Sequence, residues 1–348
     1  MKNELFNLID KLEKEQSLTL GEYQKLIENY DSELSLYSAE KARKAAEKYY
    51  GKKVYVRGLI EISNFCKNDC YYCGIRKSNK SCQRYRLTKE DILACCKEGY
   101  ALGFRTFVMQ GGEDAYYSDE ILCDIIREIK SLYPDCAVTL SLGERTKESY
   151  QALYNAGADR YLLRHETATK EHYEKLHPHA LSFDERMRCL RDLKDIGYQV
   201  GCGFMVGSPY QTAEHLARDL KFIEEFSPHM CGIGPFITHK DTPFAGEKSG
   251  SADLTVFLLS LIRLIKPNIL LPATTALGTI DGKGRERGVL AGANVVMPNL
   301  SPLSVRKKYM LYDNKIATGQ ESAQCVEELK GRMKDIGYEV AISRGDAK

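Results

Sequence analysis

The sequence predicts an α/β fold, a complete (β/α)8 barrel preceded by a helical extension. Three observations predict it. From Val54 onward, short apolar runs alternate with amphipathic helical stretches, the pattern of repeated βα units around a parallel sheet. The runs number eight, enough to close a barrel. Their ends are polar or glycine-rich, as strands are where they open into a barrel's C-terminal mouth.

Residues 1–50 read as helices only. Leu5, Leu8, Ile9 and Leu12 share one helical face, and a second helix opens with Thr19 and Glu22, spaced so that each side chain can bond the other's backbone amide. Leu26, Ile27 and Tyr30 continue its buried stripe, and a third helix, rich in Ala, Lys and Glu, runs from about Ser38 to Tyr50. Strands are predicted near Val54–Glu61, Thr106–Gln110, Ala137–Ser141, Asp159–Leu163, Gln199–Val206, Met230–Gly234, Asn268–Pro272 and Asn294–Met297. Between them come helices over Thr88–Leu102, Ser118–Ser131, Lys147–Ala156, Phe183–Ile196, Thr212–Phe226 and Ala252–Ile265, with Ser118, Thr212 and Asp253 as caps. The stretch from Ser301 to Lys348 is weakly patterned and is expected to cap one mouth. The expected organisation is thus an extension over 1–50, a barrel over 51–300 and a capping segment over 301–348.

Composition excludes several function classes. Lys+Arg 50 against Asp+Glu 48 gives a net charge of +2, without the basic excess that tracking nucleic-acid phosphates requires. The best apolar run, Val256–Ile262, stops at Arg263, far short of the roughly 18 residues of a membrane span. The N-terminal residues continue as an acidic amphipathic helix where an export signal needs an apolar core, so a cytoplasmic location is expected. There the 12 cysteines remain thiols, and a few of them can bind metal.

Those few stand after the first strand, in Cys66-Lys-Asn-Asp-Cys70-Tyr-Tyr-Cys73. Three thiolates this close can each ligate a different iron of one 4Fe-4S cube and leave the fourth iron open, unlike the four-cysteine sets of electron carriers. Zinc would want a fourth Cys or His nearby, and Cys82, the only candidate, is poorly spaced. The other strand ends carry Gln110-Gly111-Gly112-Glu113-Asp114, then Thr139, Ser141 and Glu144, then Arg164-His165-Glu166-Thr167. Thr274 and Thr275 follow the seventh strand and suit an anionic or hydroxyl-bearing ligand, though threonine is also a good strand former. The glycines of Gly201-Cys-Gly203-Phe-Met-Val-Gly207 fall out of step with a dinucleotide fingerprint, which rejects a nicotinamide site.

The cysteine triplet at this place in a βα barrel resembles the radical S-adenosylmethionine (SAM) superfamily. Arg57, Gln110-Gly111-Gly112-Glu113-Asp114, Thr139 to Glu144, Arg160 to Thr167, Gly232 to Ile237, Pro272 to Ala276 and Met297-Pro-Asn299 together resemble the HydE-type FeFe-hydrogenase maturases, over about residues 50–315. The resemblance implies Cys66, Cys70 and Cys73 as ligands of a 4Fe-4S cluster whose open iron chelates SAM. It implies Tyr72, Gln110, Gly111, Gly112, Glu113, Ser141, Glu166, Arg186, Met230 and Pro235 around SAM, with Arg186 suited to its carboxylate. Arg57, Thr139, Thr274, Thr275 and Tyr309 would surround an anion-holding substrate cavity. The implied reaction is reductive cleavage of SAM to a 5′-deoxyadenosyl radical, which attacks the cysteine sulfur of an iron complex bearing CO, cyanide and cysteine during assembly of the hydrogenase H-cluster. Implied partners are that small-molecule complex, other hydrogenase maturases and an electron donor, with no nucleic acid and no membrane. An accessory cluster found in some members needs three cysteines near the C-terminus, and only Cys325 stands after Tyr312. Alternative readings are another radical SAM barrel, such as biotin synthase or methylornithine synthase, and a non-enzymatic iron-sulfur carrier.

Overall fold

A computed structural model describes residues 2–316 and 322–348; positions 317–321 of the C-terminal segment lie outside the described residues. Its strands are β1 (Lys53–Val56), β2 (Gly58–Ser63), β3 (Thr106–Gly111), β4 (Ala137–Ser141), β5 (Arg160–Leu162), β6 (Gln199–Cys202), β7 (Met205–Val206), β8 (Met230–Cys231), β9 (Gly234–Pro235), β10 (Val295–Val296) and β11 (Glu339–Ala341). The first helices are α1 (Lys2–Glu15), α2 (Leu20–Glu28) and α3 (Ser32–Tyr50). Those of the βα repeats are α4 (Lys89–Ala101), α5 (Asp119–Leu132), α6 (Lys147–Asn155), α7 (Lys170–Leu176), α8 (Phe183–Ile196), α9 (Ala213–Phe226), α10 (Ala252–Ile265), α11 (Thr275–Ile280) and α12 (Gly284–Leu290). Two more, α13 (Leu303–Arg306) and α14 (Val326–Asp335), follow the last barrel strand.

A parallel ladder runs β2-β3-β4-β5-β6-β8. It is carried on by single bridges, Met230 to Leu270 and Pro272 to Val295, and closes where β10 pairs in parallel with β1. The chain is therefore a closed α/β barrel, with its apolar core between the strands and the surrounding helices. The expected seventh strand, Asn268–Pro272, is corrected to those isolated bridges. Pro272 has no N–H to extend a ladder, and the Leu271 N–H donates instead to Asn294 Oδ1 at 2.9 Å. Three other expected strands are interrupted: the first at Arg57, the fifth at Gly203-Phe204 and the sixth at Gly232-Ile233. At the second break the backbones crowd, since a Cβ on Gly203 would stand 2.1 Å from Gly232 O.

The N-terminal helices pack on the barrel. The Thr19 and Glu22 capping box forms at α2. The third helix starts at Ser32, earlier than expected, because Asp31 caps it by accepting from Leu34 N at 2.8 Å. Its small residues Ser38, Ala42, Ala45 and Ala46 are buried, and Ser260 Oγ on α10 donates to Ser38 Oγ at 2.7 Å. Covered on both sides, α10 is buried along almost its whole length, and Ser251, not Asp253, caps it.

After α14 the chain returns as β11, parallel to β1, and its last residues cross the N-terminal end of the barrel. There the fully buried Arg160 donates to Thr106 Oγ1 at 3.0 Å, Arg344 O at 2.8 Å and Asp346 Oδ1 at 2.5 Å. Arg344 in turn reaches Asp159 at 2.8 Å. Burial works against ionisation of Asp346, but Arg344 and Arg160 outweigh it and hold the carboxyl well below its usual range. A depressed carboxyl contributes stability above its unfolded pKa of about 3.9, lost as pH falls towards the folded value. Asp346→Ala is accordingly expected to lower Tm at pH 7 by a few degrees, about 2–4 °C for each kcal/mol lost. The gap from the parent protein should hold constant from pH 7 to 5 and narrow only below about pH 4; a gap that narrows already near neutrality assigns the effect to another group.

Candidate functional site at the C-terminal mouth

The loop after β2 is braced from several sides. Lys67 N donates to Glu113 O at 2.9 Å, Tyr71 N to Leu176 O at 3.1 Å and Gly74 N to Leu311 O at 2.8 Å. Within the loop, Asp69 accepts from Arg76 Nε at 2.7 Å and Ser78 N at 3.0 Å. Gly112 passes so close that a Cβ there would lie 2.2 Å from Phe65 O and 2.8 Å from Cys66 Cβ. The glycine pair after β3 thus allows two backbones to meet, bringing Cys66, Cys70 and Cys73 to one cavity of about 300 Å³.

Burial pushes the Cys66 thiol up; burial together with Cys73 and Cys66 pushes Cys70 well up; burial and Cys66 push Cys73 to about 12. The thiols of Cys70 and Cys73 are thus raised by burial and by the neighbouring cysteines, and positive charge brought to the loop would reverse that balance. Among the described residues no three Cys, His, Asp or Glu side chains converge as a single ion requires. A cube, whose irons each take one thiolate, has no such requirement. Cys82 does not line this cavity and accepts from Asn64 Nδ2 at 3.4 Å.

Strand ends supply the rest of the wall: Gln110 and Gly111 at the end of β3, Gly112 and Glu113 just after it, Ser141 at the end of β4, Glu166 after β5 and Pro235 on β9, with Arg186 from α8 and Tyr72 from the cysteine loop. Arg186 is buried, donating through Nε to Glu144 Oε1 at 2.5 Å and through Nη1 to Arg164 O at 2.6 Å; neither bond uses Nη2. Glu166 has a left-handed backbone, φ 66°, and its Oε2 lies 3.2 Å from Arg164 Nη2. The Tyr72 hydroxyl donates to His177 Nε2 at 3.1 Å, because His177 Nδ1 already gives its proton to Tyr173 O at 2.8 Å. Burial holds that ring neutral, its pKa lowered to about 3.

Thr274 faces the same cavity while capping α11 through Leu277 N at 3.4 Å, but Thr275 beside it is not among the lining residues. Tyr309 lines the cavity beside Leu311 and Tyr312, its hydroxyl accepting from Gln110 Nε2 at 3.4 Å. This segment after α13 is latched by a buried ion pair absent from the sequence expectations, Lys315 with Glu61, which also accepts from Asn299 Nδ2 at 3.0 Å.

Below this cavity a chamber of about 20 Å³ is lined by Arg57, Thr139 and Met230. Met230 therefore sits a layer deeper than expected, its Sδ 2.9 Å from Arg57 Nη1. Arg57 is fully enclosed; its Nε and the Thr139 hydroxyl have no hydrogen-bond partner. Burial and, secondarily, Arg160 push its guanidinium well below the usual range, so an anion placed here would meet a cation short of partners.

Residues 60–223 match the model of the radical SAM superfamily. The chain is 44% identical to the [FeFe] hydrogenase maturase subunit HydE of Thermotoga maritima, over 86% of each chain. It is 30% identical to the 3-methylornithine synthase of Methanosarcina barkeri, over 97% of this chain and 95% of that one. A crystal structure of methylornithine synthase superposes with a TM-score of 0.85 at 27% identity, covering 96% of this chain and 97% of the other.

If Gly112 exists to let the cysteine loop dock, Gly112→Ala should keep the barrel folded by circular dichroism and bind less than about half the iron after anaerobic reconstitution. Full iron content in a folded Gly112→Ala protein would show the close approach to be dispensable.

Proposed function

Because this chain belongs to the HydE family of FeFe-hydrogenase maturases, which are radical SAM enzymes, we propose that it cleaves SAM reductively and acts on an anionic iron complex bearing CO, cyanide and cysteine. The observation that carries the reading is the meeting of three half-buried thiols, with no fourth among the described residues lining the cavity, beside the polar side chains Gln110, Ser141, Glu166 and Arg186. Soft donors held protonated by burial and mutual repulsion fit a group that brings positive iron, and Cys66, Cys70 and Cys73 would hold it. When bound, a 4Fe-4S cluster with SAM supplies one-electron cleavage of a carbon–sulfur bond and so a 5′-deoxyadenosyl radical.

The residues bind, orient and exclude water. Arg186 offers its Nη2 side to the methionine carboxylate, Glu166 and Ser141 offer acceptors to hydroxyl and amino groups, and Gly111 and Gly112 offer backbone. Glu113, Gln110, Tyr72 and Pro235 complete the wall. Deeper down, Arg57 and Thr139 offer donors that the fold leaves unfilled, to the anionic ligands of a substrate that Thr274 and Tyr309 would contact from above. Thr275 would join them only by a shift of its side chain, since it does not line the cavity. Met230 contributes from below through Arg57. This is catalysis by placement in a closed interior, with little acid or base work. Other maturases and an electron donor are the partners that fit, and with a single cysteine, Cys325, after Tyr312 no second cluster is invoked.

A second reading, radical chemistry on a small amino acid, is favoured by the 30% identity to 3-methylornithine synthase. Offering the reconstituted protein the iron–cysteine complex and, separately, lysine separates the two by the rate of 5′-deoxyadenosine release. The iron complex alone should accelerate it, and acceleration by lysine alone would install the second reading. Cys70→Ala should fold, bind no cluster and form no 5′-deoxyadenosine. Arg57→Met should raise KM for the complex about 10- to 100-fold with SAM affinity unchanged; an unchanged KM would remove Arg57 from the substrate site.

A further inference from the structure

Glu166 reaches the cavity from a backbone that a side-chain-bearing residue rarely adopts, φ 66°. Something must hold it there. Its N–H donates to Gly203 O at 3.0 Å, and Gly203 N donates back to the ring of the preceding residue, His165 Nδ1, at 3.2 Å. With Nδ1 accepting, the ring proton sits on Nε2. That nitrogen faces Asp219 Oδ1 on α9 at 3.3 Å. The same carboxylate oxygen accepts from Ala168 N at 2.5 Å. Asp219, on an outer helix, therefore holds the four-residue corner His165–Ala168 by a hydrogen bond at its Ala168 end and by contact with the His165 ring at the other, and Glu166 is the member of that corner that lines the cavity.

Such an arrangement is costly to build. Asp219 and His165 are both fully buried, Asp219 on the inner face of α9 with Leu216, Leu220 and Ile223. A carboxyl in such surroundings is disfavoured unless its hydrogen bonds serve something, and an aliphatic residue would pack there more cheaply. Burial holds Asp219 well above the usual carboxylate range and His165 down to about 3, so the two are not a pair of fixed ions; Asp219 acts through the Ala168 amide and its contact with the neutral His165 ring. His165 is wedged between Phe204 and Phe222, ring centroids at 5.8 and 4.6 Å, which leaves it little freedom to turn away.

We propose that Asp219, acting through His165 and the Ala168 amide, is a positioning residue that fixes Glu166 in its left-handed conformation for the nucleoside of SAM. This rests on the assignment of Glu166 to SAM made above. Asp219 touches neither SAM nor cluster, and its role is read in the affinity for SAM and not in the capacity to bind iron.

The test is a double-mutant cycle on the reconstituted protein, with SAM Kd measured by equilibrium dialysis, iron content by colorimetry and Tm by calorimetry. Asp219→Leu should raise Kd about 10-fold with full iron content, whereas Asp219→Asn, which keeps the acceptor, should stay within about 2-fold. In a Glu166→Ala background, Asp219→Leu should lower Tm as before yet change Kd no further. Should the leucine variant not fold, His165→Phe removes the ring's contact with Asp219 and its bond from Gly203 N at similar ring volume, and is expected to give the same pattern. An equal rise in Kd with and without Glu166, or no rise in either leucine or phenylalanine variant, overturns the proposal while leaving Glu166 in the site. If Glu166→Ala alone leaves Kd unchanged, the SAM contact itself fails and the positioning role falls with it.

Discussion

Three thiols confined in one cavity cannot all ionise against one another, and most of the mouth of this barrel is organised around that constraint. Burial pushes both the Cys70 and the Cys73 thiol up, helped by Cys73 and Cys66 at Cys70 and by Cys66 at Cys73. A group bringing several positive irons reverses the balance, since thiolate formation then neutralises charge instead of accumulating it. The bracing of the loop by Glu113, Leu176 and Leu311 backbone carbonyls follows the same need, because a loop free to spread would relieve the crowding and lose the site.

The barrel separates its tasks by depth. Polar side chains that suit a nucleotide ring the upper cavity, and a cation with unfilled donors, Arg57, waits below it. Beneath Arg57 lies a floor made by the chain's own C-terminus, where Arg160 is satisfied by Asp346 and two backbone or hydroxyl oxygens. Arg160 is thus engaged on all sides while Arg57, on which it acts as a like charge, keeps an unpartnered Nε. That contrast separates a structural buried arginine from one awaiting a ligand.

How much of this was legible in the sequence depended on whether the signal was local. The cysteine triplet and the glycines at 111 and 112 were readable because their meaning lies in spacing, α5 because its apolar stripe repeats at helical spacing, and α10 because its apolar run is too long for a strand. Strand seven was over-read, since an apolar run bounded by Pro272 looks like a strand until its missing N–H is counted. Short α11 and α12 were not anticipated, their stretch being punctuated by Gly278, Gly282, Gly284 and Gly288. Met230 was placed a layer too high, because a residue's depth along a barrel strand depends on register, which the neighbouring strand sets. The latch between Glu61 and Lys315 and the staple from Asp219 to His165 join residues far apart in sequence, and only tertiary structure reveals them.

In the proposed function the three cysteines leave one iron corner to SAM. Electron–nuclear double resonance on the reduced protein, with SAM labelled by 15N at the methionine amino group, tests it directly. A nitrogen hyperfine coupling strong enough for direct iron ligation, abolished by Cys70→Ala, is the predicted result. A cluster with four protein ligands and no coupling to the labelled nitrogen would contradict it.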